Sequence, residues 1–147
     1  MGSEQPALSM HFEASVVARV PRAKAYAAYT DFGAMPKWSR EKGEVRVSRG
    51  EENKVYLERT SGGRSAIREM KLFPPERVES EGETRFTRTK SVVRFDEVPD
   101  GTRVTASLEV QIKGHWSWIM KTRGKAEAES SAMEELSSFA RYVEALP

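Results

Sequence analysis

Arg68 is the residue of this sequence whose surroundings come nearest to indicating a chemical role. Ala66, Met70 and Leu72 lie two or four positions away and would share its face in a β-strand, so the guanidinium interrupts an otherwise apolar row. A buried guanidinium needs an anion or several hydrogen-bond acceptors to offset the loss of its water. Two interpretations stay open: an internal salt bridge, for example with Glu129, or a contact with the carboxylate, carbonyl or phosphate of a ligand.

A second arginine stands in the same kind of row in the preceding segment, where Leu57 and Arg59 alternate with other residues. Either face of these two strands could be the buried one, because Ile67 and Phe73 on the other face of the later strand are apolar too. If Leu57 is buried, then Arg59 and Arg68 both point towards the interior.

Other catalytic and metal-binding motifs are scarce. The chain has two histidines, His11 and His115, and no cysteine, which excludes a three-histidine zinc site and any thiolate chemistry. A two-histidine site with Glu13 or Glu109 is the alternative to two ordinary surface histidines. No serine-nucleophile elbow or dinucleotide-binding glycine motif occurs, and the segment Ser61–Arg64 is typical of a hairpin turn. We therefore expect no metal site and no cofactor.

The composition is that of one ordinary folded domain. The 147 residues carry a formal net charge of +2 with acidic and basic residues interleaved, so no nucleic-acid footprint and no polybasic membrane anchor is indicated. No stretch is long and apolar enough to cross a membrane, and no signal peptide is visible, which predicts a cytoplasmic protein. We expect a flexible tail over residues 1–9, partly a cloning remnant, and a single domain over residues 10–147.

Side-chain alternation predicts seven strands, interrupted once by two short helices. Pro21 ends the first strand and suits the start of a helix over Arg22–Tyr29, and Ala34–Ser39 is predicted to form a second short turn of helix or a tight loop. Short turn sequences, among them Glu81–Glu83, separate the later strands and predict antiparallel neighbours. The predicted strands are Met10–Val20, Glu44–Ser48, Lys54–Thr60, Ser65–Phe73, Arg77–Ser80, Thr87–Val98 and Arg103–Lys113.

The final segment predicts one long amphipathic helix from Ser117 to Leu146. Apolar residues recur at three- and four-residue steps along its second half, whereas the same face of the first half is small or polar. We expect the bulky half to close a core and the small half, which includes Gly124 and Ala128, to roof a cavity. The alternative is a plain core helix with a frayed polar start.

The order of these elements, together with one stretch of residues, resembles a known superfamily. The stretch Val20–Ser39 is similar to the Asp-aromatic-x-x-x-Pro-x-Trp signature of the START-related helix-grip proteins, with matches at Asp31, Phe32, Pro36 and Trp38. That superfamily includes polyketide cyclases/dehydrases and lipid-transport proteins of the SRPBCC type. The resemblance implies an α+β helix-grip fold, in which a seven-stranded curved antiparallel sheet wraps around the long C-terminal helix, with two short helices between strands one and two.

The resemblance also implies a cavity between sheet and helix, of the kind that holds lipids, isoprenoids, steroids or polyketides. We predict that the protein binds a small hydrophobic ligand there for transport or sequestration. One alternative is a polyketide cyclase/aromatase-like enzyme that works through cavity shape and a few polar contacts, and another is a protein-interaction role. The predicted ligand-binding residues are Arg68, Arg59, Leu57, Met70, Phe95, Leu108, Trp116, Met120, Gly124 and Ala128.

Two tryptophans at the start of the long helix, Trp116 and Trp118, form a large apolar pair at the expected mouth of the cavity. They suit a cap over the ligand or a transient contact with a membrane surface. The alternative is that they plug the end of the sheet as part of the core. We expect no nucleic-acid partner, and a monomer or a weak dimer.

Overall fold

The structure, a computed structural model, describes residues 8–40, 43–61, 63–83, 87–112 and 117–147; in the C-terminal helix, side chains are described from residue 126 onward. Its elements, in chain order, are β1 (Leu8–Ala18), α1 (Arg22–Thr30), a 3₁₀ helix (Phe32–Lys37), β2 (Glu44–Arg49), β3 (Lys54–Ser61), β4 (Arg64–Phe73), β5 (Arg77–Glu83), β6 (Thr87–Val98), β7 (Gly101–Ile112) and α2 (Ser117–Ala145).

Within the described residues, seven strands form one antiparallel sheet in the order β1-β7-β6-β5-β4-β3-β2. Strands β2 to β7 follow one another as a meander, and β1 pairs with the last strand, with Leu8 opposite Ile112 and Ala18 opposite Thr102. Helix α2 lies against the sheet, mainly over β1. This arrangement confirms the predicted helix-grip fold, including the two short helices between the first two strands.

Several strand bounds differ from the sequence-based expectation, among them those of β1, which is shifted by two residues, and β5, which is longer. β1 begins at Leu8, within the expected tail, because the ladder of hydrogen bonds to β7 extends that far. β5 continues through the predicted turn at Glu81–Glu83, so that prediction is wrong. Gly82 suggested a turn but instead pairs with Arg68 on β4 and Thr89 on β6.

The two short helices pack on the sheet through small and aromatic residues. α1 starts after Pro21, whose carbonyl oxygen accepts the first helical hydrogen bond from the Ala25 amide at 3.0 Å. Near its end the Thr30 hydroxyl donates to the Tyr26 carbonyl oxygen at 2.8 Å. The 3₁₀ helix, which contains Pro36, starts two residues before the predicted helical turn. The buried residues of the two helices are Ala25, Tyr26, Ala28, Phe32, Ala34 and Met35.

An aromatic cluster fills the space between these helices and α2. Phe139 is fully buried, and its ring centroid lies 5.1 Å from that of Trp38 and 5.5 Å from that of Tyr29. The ring of Tyr29 also lies 5.6 Å from that of Phe95 on β6. Val143, one helical turn after Phe139, is fully buried as well. The bulky second half of α2 therefore closes a core, as its apolar stripe predicts.

Candidate functional site

A cavity of about 380 Å³ lies between the inner face of the sheet and α2, next to the aromatic cluster. Most of its wall is apolar and consists of Met35, Leu57, Met70, Val93, Ala106, Leu108, Ala132 and Leu136, with the rings of Tyr29 and Trp38. The polar part of the wall consists of Arg59, Arg68, Ser80, Ser91 and Glu135. Strands β3 to β7 and the middle of α2 all contribute, so the cavity exists only in the folded chain.

Arg68 lies on the inner face of β4, and its guanidinium reaches across β5 to β6. Nη2 donates to the Ser80 hydroxyl at 3.2 Å, and Nη1 donates to the Thr89 hydroxyl at 3.1 Å. The Thr89 hydroxyl in turn donates to the carbonyl oxygen of Gly82 at 3.3 Å. These two hydroxyl partners are uncharged, and they fix the orientation of the guanidinium.

A chain of hydrogen bonds joins β3 to α2 along the cavity wall. The buried Ser39 donates to Oε1 of Glu135 at 2.6 Å and accepts from Nη2 of Arg59 at 3.3 Å. One helical turn away, the Ser138 hydroxyl donates to the carbonyl oxygen of Trp38 at 2.7 Å. The segment after the 3₁₀ helix is thus fastened to α2, and a carboxylate and a guanidinium are held on the same wall.

Tyr29 connects the aromatic cluster to the polar part of the wall. Burial raises the pKa of its hydroxyl from 10.0 to about 12, and the negative charge of Glu135 acts in the same direction. The positive charges of Arg68 and Arg59 act against this shift without cancelling it. At neutral pH the Tyr29 hydroxyl therefore keeps its proton and can donate a hydrogen bond.

This architecture agrees with a family assignment made from the sequence. Residues 9–144 match the family described as polyketide cyclase/dehydrase and lipid transport. The chain belongs to this family. The resemblance predicted from the Asp31–Trp38 signature is therefore confirmed. A comparison with curated proteins gives no match.

Solved structures share the fold of this family member at low sequence identity. The Zhui aromatase/cyclase from Streptomyces sp. R1128 is 13% identical with a TM-score of 0.69, over 93% of this chain and 94% of that one. A norcoclaurine synthase from Thalictrum flavum is 8% identical with a TM-score of 0.70, over 95% of this chain and 97% of that one. The di-domain aromatase/cyclase BexL from the BE-7585A biosynthetic pathway is 16% identical with a TM-score of 0.74, over 95% of this chain and 52% of that one.

The match covers 52% of the di-domain protein BexL and 51% of the di-domain protein StfQ, so the chain spans about half the length of each. At identities this low, the likeness shows the common fold alone. The features of this polyketide cyclase/dehydrase and lipid transport family member that bear on its role are those of its own cavity.

Half of the predicted ligand-binding residues line this cavity. Burial shows which face of β3 and β4 points inward. Leu57 is 1% and Met70 is 4% exposed, whereas Ile67 on the opposite face is 61% exposed. Arg59 and Arg68 share the inner face with them. The predicted residues on the cavity wall are Leu57, Arg59, Arg68, Met70 and Leu108.

Two predicted residues pack elsewhere. Phe95 is buried in the core beneath α1, with its ring 5.4 Å from that of Tyr26, because β6 carries its bulky residues at that end. Ala128 packs in a second small cluster with Phe12, Val110 and Ile112, where α2 crosses β1 and β7. Among the side chains of α2 that the structure describes, those that line the cavity are Ala132, Glu135 and Leu136, and Ala128 is not one of them.

Three predicted site residues cannot be placed by their side chains. Trp116, like His115, lies outside the described residues. Met120 and Gly124, together with Trp118, lie in the helical part of α2 whose side chains are outside the described set. Their predicted roles at the cavity stay predictions.

Glu135, Ser80 and Ser91 are cavity residues that the sequence analysis did not select. Glu135 stands three residues after Ala132 and four before Phe139, so it occupies the apolar stripe of α2, and this spacing was the available signal. Ser80 and Ser91 follow the inner-face alternation of their strands, but a serine in a strand is not by itself a functional signal.

The structure also bears on metal ions and membranes. Among the described residues, no group of three or more acidic or histidine side chains is arranged to hold a metal ion. His11 is exposed, with Nε2 3.9 Å from a carboxylate oxygen of Glu13. In the same part of the chain, no helix has the length and apolar character needed to span a membrane.

Proposed function

We propose that this protein binds a small, mainly apolar molecule that carries one polar group, such as a lipid, an isoprenoid or a polyketide-like compound, and that it transports or sequesters that molecule. The observation that carries the proposal is the division of a cavity of about 380 Å³ into an apolar wall and a polar wall. This volume lies in the range of about 300–1,000 Å³ that small-molecule sites occupy.

Each wall suits one part of such a ligand. The apolar wall, with Leu57, Met70 and Leu108, gains about 25 cal/mol for each square ångström of apolar surface that leaves water. The polar wall offers hydrogen-bond donors, because Arg68 is oriented by hydroxyls and Tyr29 stays protonated. A carbonyl, hydroxyl or carboxylate of the ligand would accept from these groups. A fully apolar ligand would leave them without that contact.

The family supports the proposal without deciding between its versions. Its description covers both cyclisation or dehydration of polyketides and transport of lipids. Transport or sequestration of a ligand needs only the cavity and its polar wall, and no catalytic group. The cavity, with its apolar and polar walls, favours an amphiphilic ligand over a purely apolar one.

A cyclase/dehydrase-like enzyme is the second candidate, and the convergence of Glu135 and Tyr29 favours it. A carboxylate can accept a proton from carbon between two carbonyl groups, while the Tyr29 hydroxyl and the Arg68 guanidinium donate to the carbonyl oxygen on which negative charge develops. Ser39 holds the Glu135 carboxylate in a fixed orientation at 2.6 Å. The enolate carbon then attacks a second carbonyl carbon of the same chain, and the alkoxide that forms takes up the proton from Glu135. Loss of the second α-proton together with this hydroxyl releases water.

Fluorescent probes test the binding function directly. Phenylnaphthylamine is neutral and apolar, and anilinonaphthalene sulfonate shares its skeleton but adds an anionic group. We expect both to bind, and we expect Ala132→Leu, which fills the cavity from α2, to weaken both about tenfold or more. Ala126→Leu on the exposed side of the same helix is the control. Binding to Ala132→Leu at wild-type affinity would place the site elsewhere.

Glu135→Gln separates carrier from enzyme. The substitution keeps the size of the side chain and a hydrogen-bond acceptor for Ser39 but removes the basic carboxylate. A carrier keeps its probe affinity and has no turnover to lose. An enzyme keeps probe affinity and loses conversion of a short poly-β-ketone, followed by mass spectrometry as loss of water. Native mass spectrometry of protein purified from cells would identify a co-purifying molecule.

We also propose that the protein works in the cytoplasm as a monomer or a weak dimer and contacts membrane surfaces transiently through Trp116 and Trp118. Large apolar rings suit insertion at the interface between lipid head groups and acyl chains. Co-sedimentation with phosphatidylcholine vesicles should fall when both tryptophans are replaced by alanine. Equal sedimentation of the two proteins would remove this part of the proposal.

A further inference from the structure

Gly82 lies where a side chain would meet Arg68. The two residues are direct partners in the pairing of β5 with β4. A Cβ atom at Gly82 would lie 2.9 Å from Nη1 and 3.2 Å from Cζ of Arg68, and 3.4 Å from its Cγ. The distance to Nη1 is shorter than real Cβ contacts, the distance to Cζ is tighter than most of them, and the distance to Cγ is ordinary, so the guanidinium at the end of this flexible side chain would have to move. The guanidinium therefore occupies space that any other residue at position 82 would fill.

The backbone itself does not require glycine at this position. Among the described glycines, positive φ angles occur at Gly63 and Gly101, and Gly82 sits in the regular pairing of β5 with both neighbours. Glycine in the interior of a strand is unfavourable, because it loses more chain entropy and packs no side chain. A glycine at position 82 is explained by the space that the Arg68 side chain occupies.

The neighbours of Gly82 show the same adaptation. Ser80 and Thr89 are the hydroxyl partners of Arg68, and Ser91 continues the row of small polar side chains on β6. Together they form a floor of short side chains on which the long Arg68 side chain lies. If the guanidinium moved away from these short side chains, it would project into the cavity and occupy part of the volume available to a ligand.

We infer that Gly82 is a positioning residue that keeps Arg68 against the sheet and thereby sets both the depth of the cavity and the place where the ligand's polar group is bound. The consequence for the ligand rests on the proposed binding function; the positioning of Arg68 does not. A ligand selected by this arrangement places its polar group at the floor formed by β5 and β6 and its apolar part towards α2.

A thermodynamic cycle tests the positioning role without any ligand. In the wild-type background, Gly82→Ala should lower the melting temperature, because the new methyl group displaces the guanidinium from Ser80 and Thr89. In the Arg68→Met background the same substitution should leave the melting temperature unchanged or raise it, because only the Cγ contact at 3.4 Å remains. Gly33→Ala is the matched control, since nothing lies within 4 Å of a Cβ at that site.

The outcomes of the cycle are distinct. A shift of the same sign and size in both backgrounds would overturn the inference, because the glycine would then serve something other than Arg68. If Gly82→Ala fails to fold but the double variant folds, the clash with Arg68 is supported. If both fail to fold while Arg68→Met folds, the inference is wrong.

Probe binding tests the effect on the cavity. We expect Gly82→Ala to weaken phenylnaphthylamine about tenfold and Gly82→Ala with Arg68→Met to recover the affinity of Arg68→Met alone. Equal binding to wild type and Gly82→Ala would overturn the inference and leave the binding function standing. A wild-type protein that binds neither probe would instead refute the binding function, and the melting-temperature cycle would still decide the role of Gly82.

Discussion

Two regions of the space beneath α2 are built on the same strands. A solid end near α1 is filled by side chains, and a hollow end holds the cavity, beyond which a second small cluster around Phe12 and Ile112 packs against α2. At the solid end the inner face carries large apolar side chains such as Phe95 and Val104, which are 1% exposed or less. Towards the hollow end the same sheet carries Ser80, Ser91 and Ala106. The change from large to small occurs on β5 and β6 in the same direction, whereas on β7 the large Leu108 follows Ala106 on the cavity wall.

Helix α2 follows the same division. Phe139 and Val143 are fully buried at the solid end, whereas Ala132 and Glu135 face the cavity. Protein interiors pack to high density wherever side chains are large enough to fill the available space. The comparison therefore shows that the helix-grip topology supplies a frame, and that side-chain size decides which part of the frame stays open.

A substitution that creates a cavity at the solid end should have the largest effect on the free energy of unfolding. Phe139→Ala removes a fully buried ring that contacts Trp38 and Tyr29, and we expect a loss of about 3–5 kcal/mol in the free energy of unfolding, measured by urea denaturation. Met133→Ala on the same helix is 42% exposed and should cost about 0.5 kcal/mol or less. Similar costs for the two variants would contradict the division.

Removing the charge from the hollow end should affect binding more than stability. We expect Arg68→Met to weaken binding of anilinonaphthalene sulfonate by about 1.5–3 kcal/mol, the usual contribution of a charged hydrogen bond. The free energy of unfolding should change by about 1 kcal/mol or less, because the released hydroxyls of Ser80 and Thr89 face a space that water can enter. Arg94→Met, at an exposed position on β6, should change neither quantity.

The result for Arg68→Met has a clear contrary outcome. Unchanged affinity together with unchanged stability would mean that Arg68 does not face the ligand. A stability loss of about 3–5 kcal/mol would indicate instead that the substitution leaves a buried carboxylate without its partner, as in an internal salt bridge.

The boundary between the two ends can be tested at Ser39. Ser39→Ala removes the hydroxyl that donates to Glu135 at 2.6 Å, and we expect a loss of about 1–3 kcal/mol in the free energy of unfolding. Ser131→Ala is the control, because its hydroxyl accepts from Arg40 at an exposed site and should contribute about 0.5 kcal/mol or less. Equal losses would show that the hydrogen-bonded chain does not stabilise the boundary.

The smallest effect concerns the pH dependence of stability. The pKa of Tyr29 is raised from 10.0 to about 12, so the unfolded chain loses this proton at lower pH than the folded protein does. Its contribution to the free energy of unfolding should be constant below pH 10.0 and fall as the pH rises towards about 12. Urea denaturation across this range measures the slope.

Tyr29→Phe provides the comparison for that slope. Burial raises the pKa of Tyr26 as well, so part of the alkaline loss of stability should remain in the variant. We expect the slope above pH 10.0 to become shallower in Tyr29→Phe. An identical slope in both proteins would show that the Tyr29 hydroxyl is not held in the low-dielectric wall of the cavity.

The sequence by itself determined the order and type of the elements, and its resemblance to a known superfamily indicated the fold. Alternation predicts β6 at Thr87–Val98, and the three- and four-residue stripe predicts a helix from Ser117, as the structure has them. The signature around Asp31–Trp38 indicates the family. These features are readable because side-chain periodicity is a local property of the chain. The inner face of β3 and β4 was left open, because both faces carry apolar residues.

Only the tertiary structure decided which polar groups meet. Arg59 and Glu135 reach the same Ser39 hydroxyl from positions 20 and 96 residues away, and no local pattern links them. Gly82 suggested a turn, although it serves a close approach of Arg68 within a strand. Such contacts depend on the register between strands and on where α2 lies on the sheet. Neither leaves a periodic signal in the sequence, because both arise only when distant segments pack together.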